Sequence, residues 1–101
     1  MDSVRETFIW QGLTIETLHT PNWSEIYRTT YGYALSHLQI SAAERAPLPI
    51  SATGYVSHFE RADNIEAEGG AVAYVQAWLE HAAQSPAWIE AQQKARQLSL
   101  F

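Results

Sequence analysis

A change in hydrophobic period divides this 101-residue chain into two parts and constrains its fold more than any other feature. In several runs between residues 7 and 59, apolar and polar residues alternate, which is the period of half-buried β-strands. From residue 71 to 83 the apolar residues instead recur every three or four positions, as in an amphipathic helix. Strands followed by helices indicate an α+β fold: a small antiparallel sheet of three to four strands followed by two C-terminal helices packed on one face.

The strands are separated by residues that favour turns and loops. Gly12, after Gln11, can adopt a positive φ, so residues 6–19 are predicted to form a β-hairpin. Asn22 and Glu25 have the spacing of a capping box for a short helical turn that ends at residue 27, with residues 28–32 as a connection. A third strand is predicted over residues 33–41 and a fourth over residues 53–59, joined by an extended loop that contains Pro47.

Helix signals dominate the last third of the chain. Asp63 is a candidate N-cap for a short helical turn, and the two glycines at positions 69 and 70 terminate this turn. The first long helix is predicted over residues 71–83. Ser85 and Pro86 are typical of a new helix start, with serine as N-cap and proline in the first turn, and predict a second helix over residues 86–96. The sequence therefore predicts one domain, residues 1–96, and a C-terminal tail, residues 97–101.

Composition excludes several functional classes. No cysteine is present, which excludes disulfides and thiolate metal sites. A net charge of −5 weighs against direct binding to nucleic acid, where Lys and Arg supply most of the affinity. The chain opens without a secretory signal, and no apolar run approaches the ~20 residues that span a bilayer. We expect a soluble cytoplasmic protein that does not bind membranes.

The sequence shows no convincing catalytic or metal-binding pattern. Ser57 and His58 are neighbours on a predicted strand, so their side chains point to opposite faces and do not form a nucleophile–base pair. No two of the four histidines have metal-ligand spacing. A zinc site of His37, His58 and Glu16, meeting across the sheet, is the least favoured alternative. We therefore expect a protein that is not an enzyme and has no cofactor.

Trp23 is the best candidate for an exposed aromatic residue. It stands in a polar loop next to Pro21, whereas the other three tryptophans lie on predicted strands or helices. Exposed tryptophan is enriched in protein interfaces, so Trp23 is a candidate partner-binding residue. The other interpretation is that the indole folds back onto the core as a lid.

The last five residues form a pattern that points to a partner. They are Gln97, Leu98, Ser99, Leu100 and Phe101. This order resembles the short peptide by which bacterial replication and repair proteins bind the DNA sliding clamp, the ring that tethers polymerases to DNA. The resemblance implies that the glutamine hydrogen-bonds at the edge of the clamp cleft, that Leu98 contacts the connecting groove, and that Leu100 and Phe101 fill an apolar pocket. The competing interpretation is that the second helix continues through Leu98 and packs on its own sheet.

The body of the chain is similar, less specifically, to small uncharacterised proteins of bacterial plasmids. The similarity rests on residues 20–23, 46–49 and 53–59 and implies no activity. We therefore expect a non-enzymatic accessory protein that binds the sliding clamp through its tail. The alternative is an acidic inhibitor or anti-defence protein of a mobile element, which acts by protein–protein contact.

Overall fold

The computed structural model describes the backbone of residues 2–99 and the side chains of residues 2–97. The elements in chain order are β1 (Val4–Trp10), β2 (Leu13–Thr20), α1 (Glu25–Tyr31), β3 (Leu35–Ala42), β4 (Tyr55–Arg61), α2 (Ala62–Ala67), α3 (Ala71–Ala82) and α4 (Pro86–Ser99). A short 3-10 turn, Ala43–Arg45, follows β3. The α+β class predicted from the change in hydrophobic period is confirmed.

The four strands form one antiparallel sheet in the order β1-β2-β3-β4. The predicted hairpin is β1 and β2, closed where Trp10 pairs with Leu13. Gln11 and Gly12 both have positive φ, 49° and 81°, as a type I′ turn requires. Such a turn matches the twist of the flanking strands, so these two residues set the register of the first hairpin.

The core lies between one face of the sheet and α3. Alternate residues of β3, among them Leu38 and Ile40, are fully buried, while the residues between them are half-buried. On α3 the buried positions are Ala71, Val75 and Leu79, one residue per turn. This face of the sheet is therefore apolar and covered, whereas the opposite face is not covered by α3 and carries exposed side chains such as Phe59.

Two connections differ from the sequence prediction. The helix after β2 does not end at residue 27 but continues through Tyr31, and its N-cap is Ser24, whose hydroxyl accepts from the backbone N–H of Tyr27 at 3.1 Å. Gly32 ends it in the left-handed conformation, with φ of 78°. The N-cap of α2 is Arg61, and Asp63, the predicted cap, lies in the first helical turn.

The loop between β3 and β4 is not simply extended. It contains the 3-10 turn and a short antiparallel bridge between Leu48 and Ser51. Gly54 closes the loop: it is buried, has φ of 73°, and its carbonyl accepts from the N–H of Ala42 at 2.9 Å. This tight closure brings the buried Leu48 into the core.

Candidate protein-interaction sites

The final helix, α4, precedes and partly includes the tail residues. Its first turn is fixed by Ser85, whose hydroxyl accepts from the N–H of Trp88 at 3.2 Å, as the Ser-Pro pair predicts. Trp88 is half-buried and its ring centroid lies 6.2 Å from that of Trp10. Beyond Gln92, every side chain of residues 93–97 is exposed. The helix is therefore anchored at its start, and its side chains from residue 93 to 97 are exposed to solvent.

The structure places the tail residues only in part. The helical backbone continues three residues past the predicted end at residue 96 and includes Gln97, Leu98 and Ser99. Gln97 is exposed, while Leu100 and Phe101 lie outside the described residues. The division of the chain at residue 97 and the role of the tail stay predictions.

The apolar stripe that leads to the tail is not buried by its own domain. Ala91 and Ala95 lie on the stripe that the sequence predicts to begin at Trp88, and both are exposed. A helix that packed onto the sheet along this stripe would bury both alanines. Up to Ala95, then, the domain does not cover the helix face that precedes the tail.

Trp23 is exposed, in agreement with the sequence prediction: 42% of the residue is accessible. Its backbone N–H donates to the carbonyl of Leu35 at 2.9 Å, and the hydroxyl of Ser36 donates to the carbonyl of Pro21 at 2.8 Å. The indole packs edge-on against Phe59, with ring centroids 4.9 Å apart. Trp23 is thus held in place on the uncovered face and does not form a lid on the core.

Next to Trp23 the structure brings together two polar residues that sequence reasoning did not pair. His37 Nε2 lies 2.7 Å from the hydroxyl oxygen of Ser57, and the imidazole packs against Phe59 with centroids 4.6 Å apart. Ser57 and His58 are neighbours on β4 and project from opposite faces of the sheet, so they do not pair. Ser57 and His37 instead lie diagonally opposite each other on β4 and β3. Only the strand register reveals this contact.

The histidine-based metal site is not formed. His37 pairs with Phe59 and His58 with Leu38, so the two histidines project from opposite faces of the sheet and do not converge with Glu16. Among the described residues, no cluster of three metal-ligating side chains occurs. The least favoured alternative, a zinc site of His37, His58 and Glu16, is therefore wrong, because it required the two histidines to share a face of the sheet.

A half-buried polar network surrounds His58 instead. The hydroxyl of Tyr74 donates to Glu60 Oε2 at 2.9 Å and lies 3.2 Å from His58 Nε2, while Trp78 packs against the imidazole at 4.7 Å. Burial and the neighbouring Glu60 carboxylate raise the pKa of Tyr74 to about 12. Burial alone would raise the pKa of Glu60, but hydrogen bonds from Asn64, the backbone and Tyr74 lower it. These contacts connect α3 to β4, and they indicate that the network of His58, Glu60 and Tyr74 stabilises the fold.

Comparisons with known proteins place the chain in a family. No curated protein and no solved structure matches the chain significantly. Among the described residues, no helix has both the length and the apolar character needed to cross a bilayer. A family described as the KlcB third domain matches residues 3–88, from the start of β1 to the first turn of α4. The match leaves residues 89–101 outside the matched region. The chain therefore belongs to the KlcB third-domain family.

Proposed function

We propose that this chain is a non-enzymatic plasmid accessory protein that docks on the bacterial DNA sliding clamp through residues 97–101. The observation that carries the proposal is the exposure of residues 93–97 of α4, which presents Gln97 to solvent. The order of residue types from Gln97 to Phe101 supplies the partner, through its resemblance to clamp-binding peptides.

Docking as an extended peptide requires the last turn of α4 to unwind. The final four carbonyl groups of a helix have no partner within the helix, and helix ends fray at little cost. Gln97 and Ser99 lie within this last turn. Opening the turn leaves the anchored start of the helix, at Ser85 and Trp88, unchanged.

The test is direct binding of the purified chain to purified clamp, measured by calorimetry or surface plasmon resonance. A double variant, Leu100→Ala with Phe101→Ala, should weaken binding by more than about 100-fold, since burying two large apolar side chains contributes about 3–6 kcal/mol. Ser99→Ala is the matched control, because its position in the motif is variable, and it should keep the affinity.

Two further variants separate the tail from the rest of the chain. Deletion of residues 97–101 should abolish clamp binding and leave the unfolding midpoint unchanged. Trp23→Leu, on the uncovered sheet face, should bind the clamp like the parent chain. Absence of measurable clamp binding by the intact chain would refute the proposed function.

The alternative of an acidic inhibitor has weaker support from the charge distribution. Acidic side chains occur on nearly every element, including Glu6 on β1, Glu16 on β2, Glu80 on α3 and Glu90 on α4. A denser group lies on and beside α2, where Arg61 pairs with one of its carboxylates at 3.0 Å. Charge distributed over so many elements favours solubility and gives less support to one acidic surface for a basic partner.

A further inference from the structure

A cleft beside Trp23 has a well-defined chemical character. It encloses about 440 Å³ and is lined by Asp2, Pro21, Asn22, Trp23 and Glu25. It lies where the loop after β2 enters α1. Neither clamp docking nor the polar network at Tyr74 uses it.

The walls of the cleft are fixed before any ligand arrives. Backbone groups on both sides of Asn22 are hydrogen-bonded to β3: the carbonyl of Pro21 accepts from Ser36, and the N–H of Trp23 donates to Leu35. The indole also packs against Phe59 in a T-shaped arrangement. A preformed site loses less conformational entropy when a ligand binds.

The cleft presents hydrogen-bond acceptors and an aromatic ring. Asp2 and Glu25 contribute exposed carboxylates, and the amide NH₂ of Asn22 donates to the carboxylate of Glu25. The other end of that amide, Oδ1 of Asn22, is buried and has no donor among the described residues. Within the described part of the chain, no lysine or arginine lines the cleft.

These features are complementary to one kind of ligand. A guanidinium group is planar, always charged, and carries five N–H donors, so it can stack on an indole while it donates to carboxylate oxygens. An ammonium group has fewer donors and no flat face, and it matches the site less well. We propose that the Trp23 cleft binds an arginine side chain of a partner protein.

The test uses the full ¹⁵N-labelled chain and a short blocked peptide, acetyl-Gly-Arg-Gly-amide. The indole N–H signal of Trp23, identified by its loss in Trp23→Leu, should shift saturably with a dissociation constant of about 1 mM or weaker, as expected for a single side chain. The same peptide with citrulline, which has the shape of arginine without its charge, should cause no saturable shift. The lysine peptide should bind more weakly than the arginine peptide.

Variants of the cleft provide the matched comparison. Glu25→Gln and Asp2→Asn should each weaken arginine-peptide binding by about two- to fivefold, as for exposed ion pairs. Glu90→Gln removes the same charge from exposed α4 and should leave binding unchanged. Both substitutions in the cleft are at exposed positions, so the fold is retained.

The inference is independent of clamp docking, because the chain without residues 97–101 should bind the arginine peptide as well as the intact chain does. An equal shift with the citrulline peptide would overturn the inference, since the charge would then be irrelevant. So would the absence of any saturable shift up to about 50 mM peptide, well above the millimolar range of a single contact.

Discussion

Gly54 offers a quantitative test of the fold because two separate costs oppose a side chain there. Its φ of 73° lies in the left-handed region, which costs a residue with a Cβ about 1–2 kcal/mol. A Cβ at this position would also lie 2.6 Å from the carbonyl oxygen of Ala46 and from the carbonyl carbon of Arg45. These are backbone atoms that cannot rotate away, and overpacking of this kind costs about 1–3 kcal/mol. We expect Gly54→Ala to lower the free energy of unfolding by about 3 kcal/mol.

Gly32 is the matched control. Its φ is 78°, close to that of Gly54, but a Cβ there would have no atom within 4 Å. Gly32→Ala should therefore report the backbone cost alone, about 1 kcal/mol. Urea unfolding followed by tryptophan fluorescence gives both values from the shift in midpoint at constant slope. Equal shifts for the two variants would show that the close approach of residues 45 and 46 to Gly54 is not present in solution.

Four further predictions concern individual side-chain contacts. Tyr74→Phe should destabilise the fold by about 1 kcal/mol by removing the donor to Glu60, and a stability equal to the parent's would argue against that bond. Because the pKa of Tyr74 is raised to about 12, the parent's unfolding free energy should fall as pH rises from 10 towards 12, and the fall should be shallower in Tyr74→Phe. Trp10→Phe removes the 2.8 Å hydrogen bond from the indole N–H to Glu80 and should lower the free energy of unfolding in urea by about 2 kcal/mol. Glu80→Gln keeps an acceptor and should lower the free energy of unfolding by less. A larger loss of stability in Glu80→Gln than in Trp10→Phe would contradict the hydrogen bond. Ser85→Ala removes the N-cap of α4 and should lower the free energy of unfolding by about 1 kcal/mol and the helix content measured by circular dichroism. Unchanged stability and helix content would show that the cap is not formed.

The features predicted correctly from the sequence depend on residues that are close together in the chain. The hairpin required only a glycine at position 12 and alternation on either side of it. The start of α4 required only Ser85 followed by Pro86. The length of α1 was underestimated because its cap is Ser24 and the helix continues to Gly32, in a segment whose polar and aromatic residues show no clear period.

The candidate sites also include features that the sequence predicted and features that it did not. The exposure of Trp23 was predicted from residue type and position alone, whereas the role of the tail stays a prediction from the order of its residues. The cleft beside Trp23 was not predicted, because it forms only when Asp2 lies beside the loop that contains Asn22. No local sequence pattern encodes this proximity. The polar network of Tyr74 was missed for a similar reason, since it joins a helix to a strand 14 residues away.

The sequence by itself determined the order of strands and helices, the alternation that gives β2 and β3 two different faces, and the composition of the tail. Tertiary structure alone decided which side chains meet: His37 with Ser57, and not with His58. The physical reason is that alternation fixes the two faces of one strand, whereas the pairing of strands depends on register and on packing between distant segments. Tertiary structure also decided that Ala91 and Ala95 on α4 are exposed, because their exposure depends on what the rest of the fold covers.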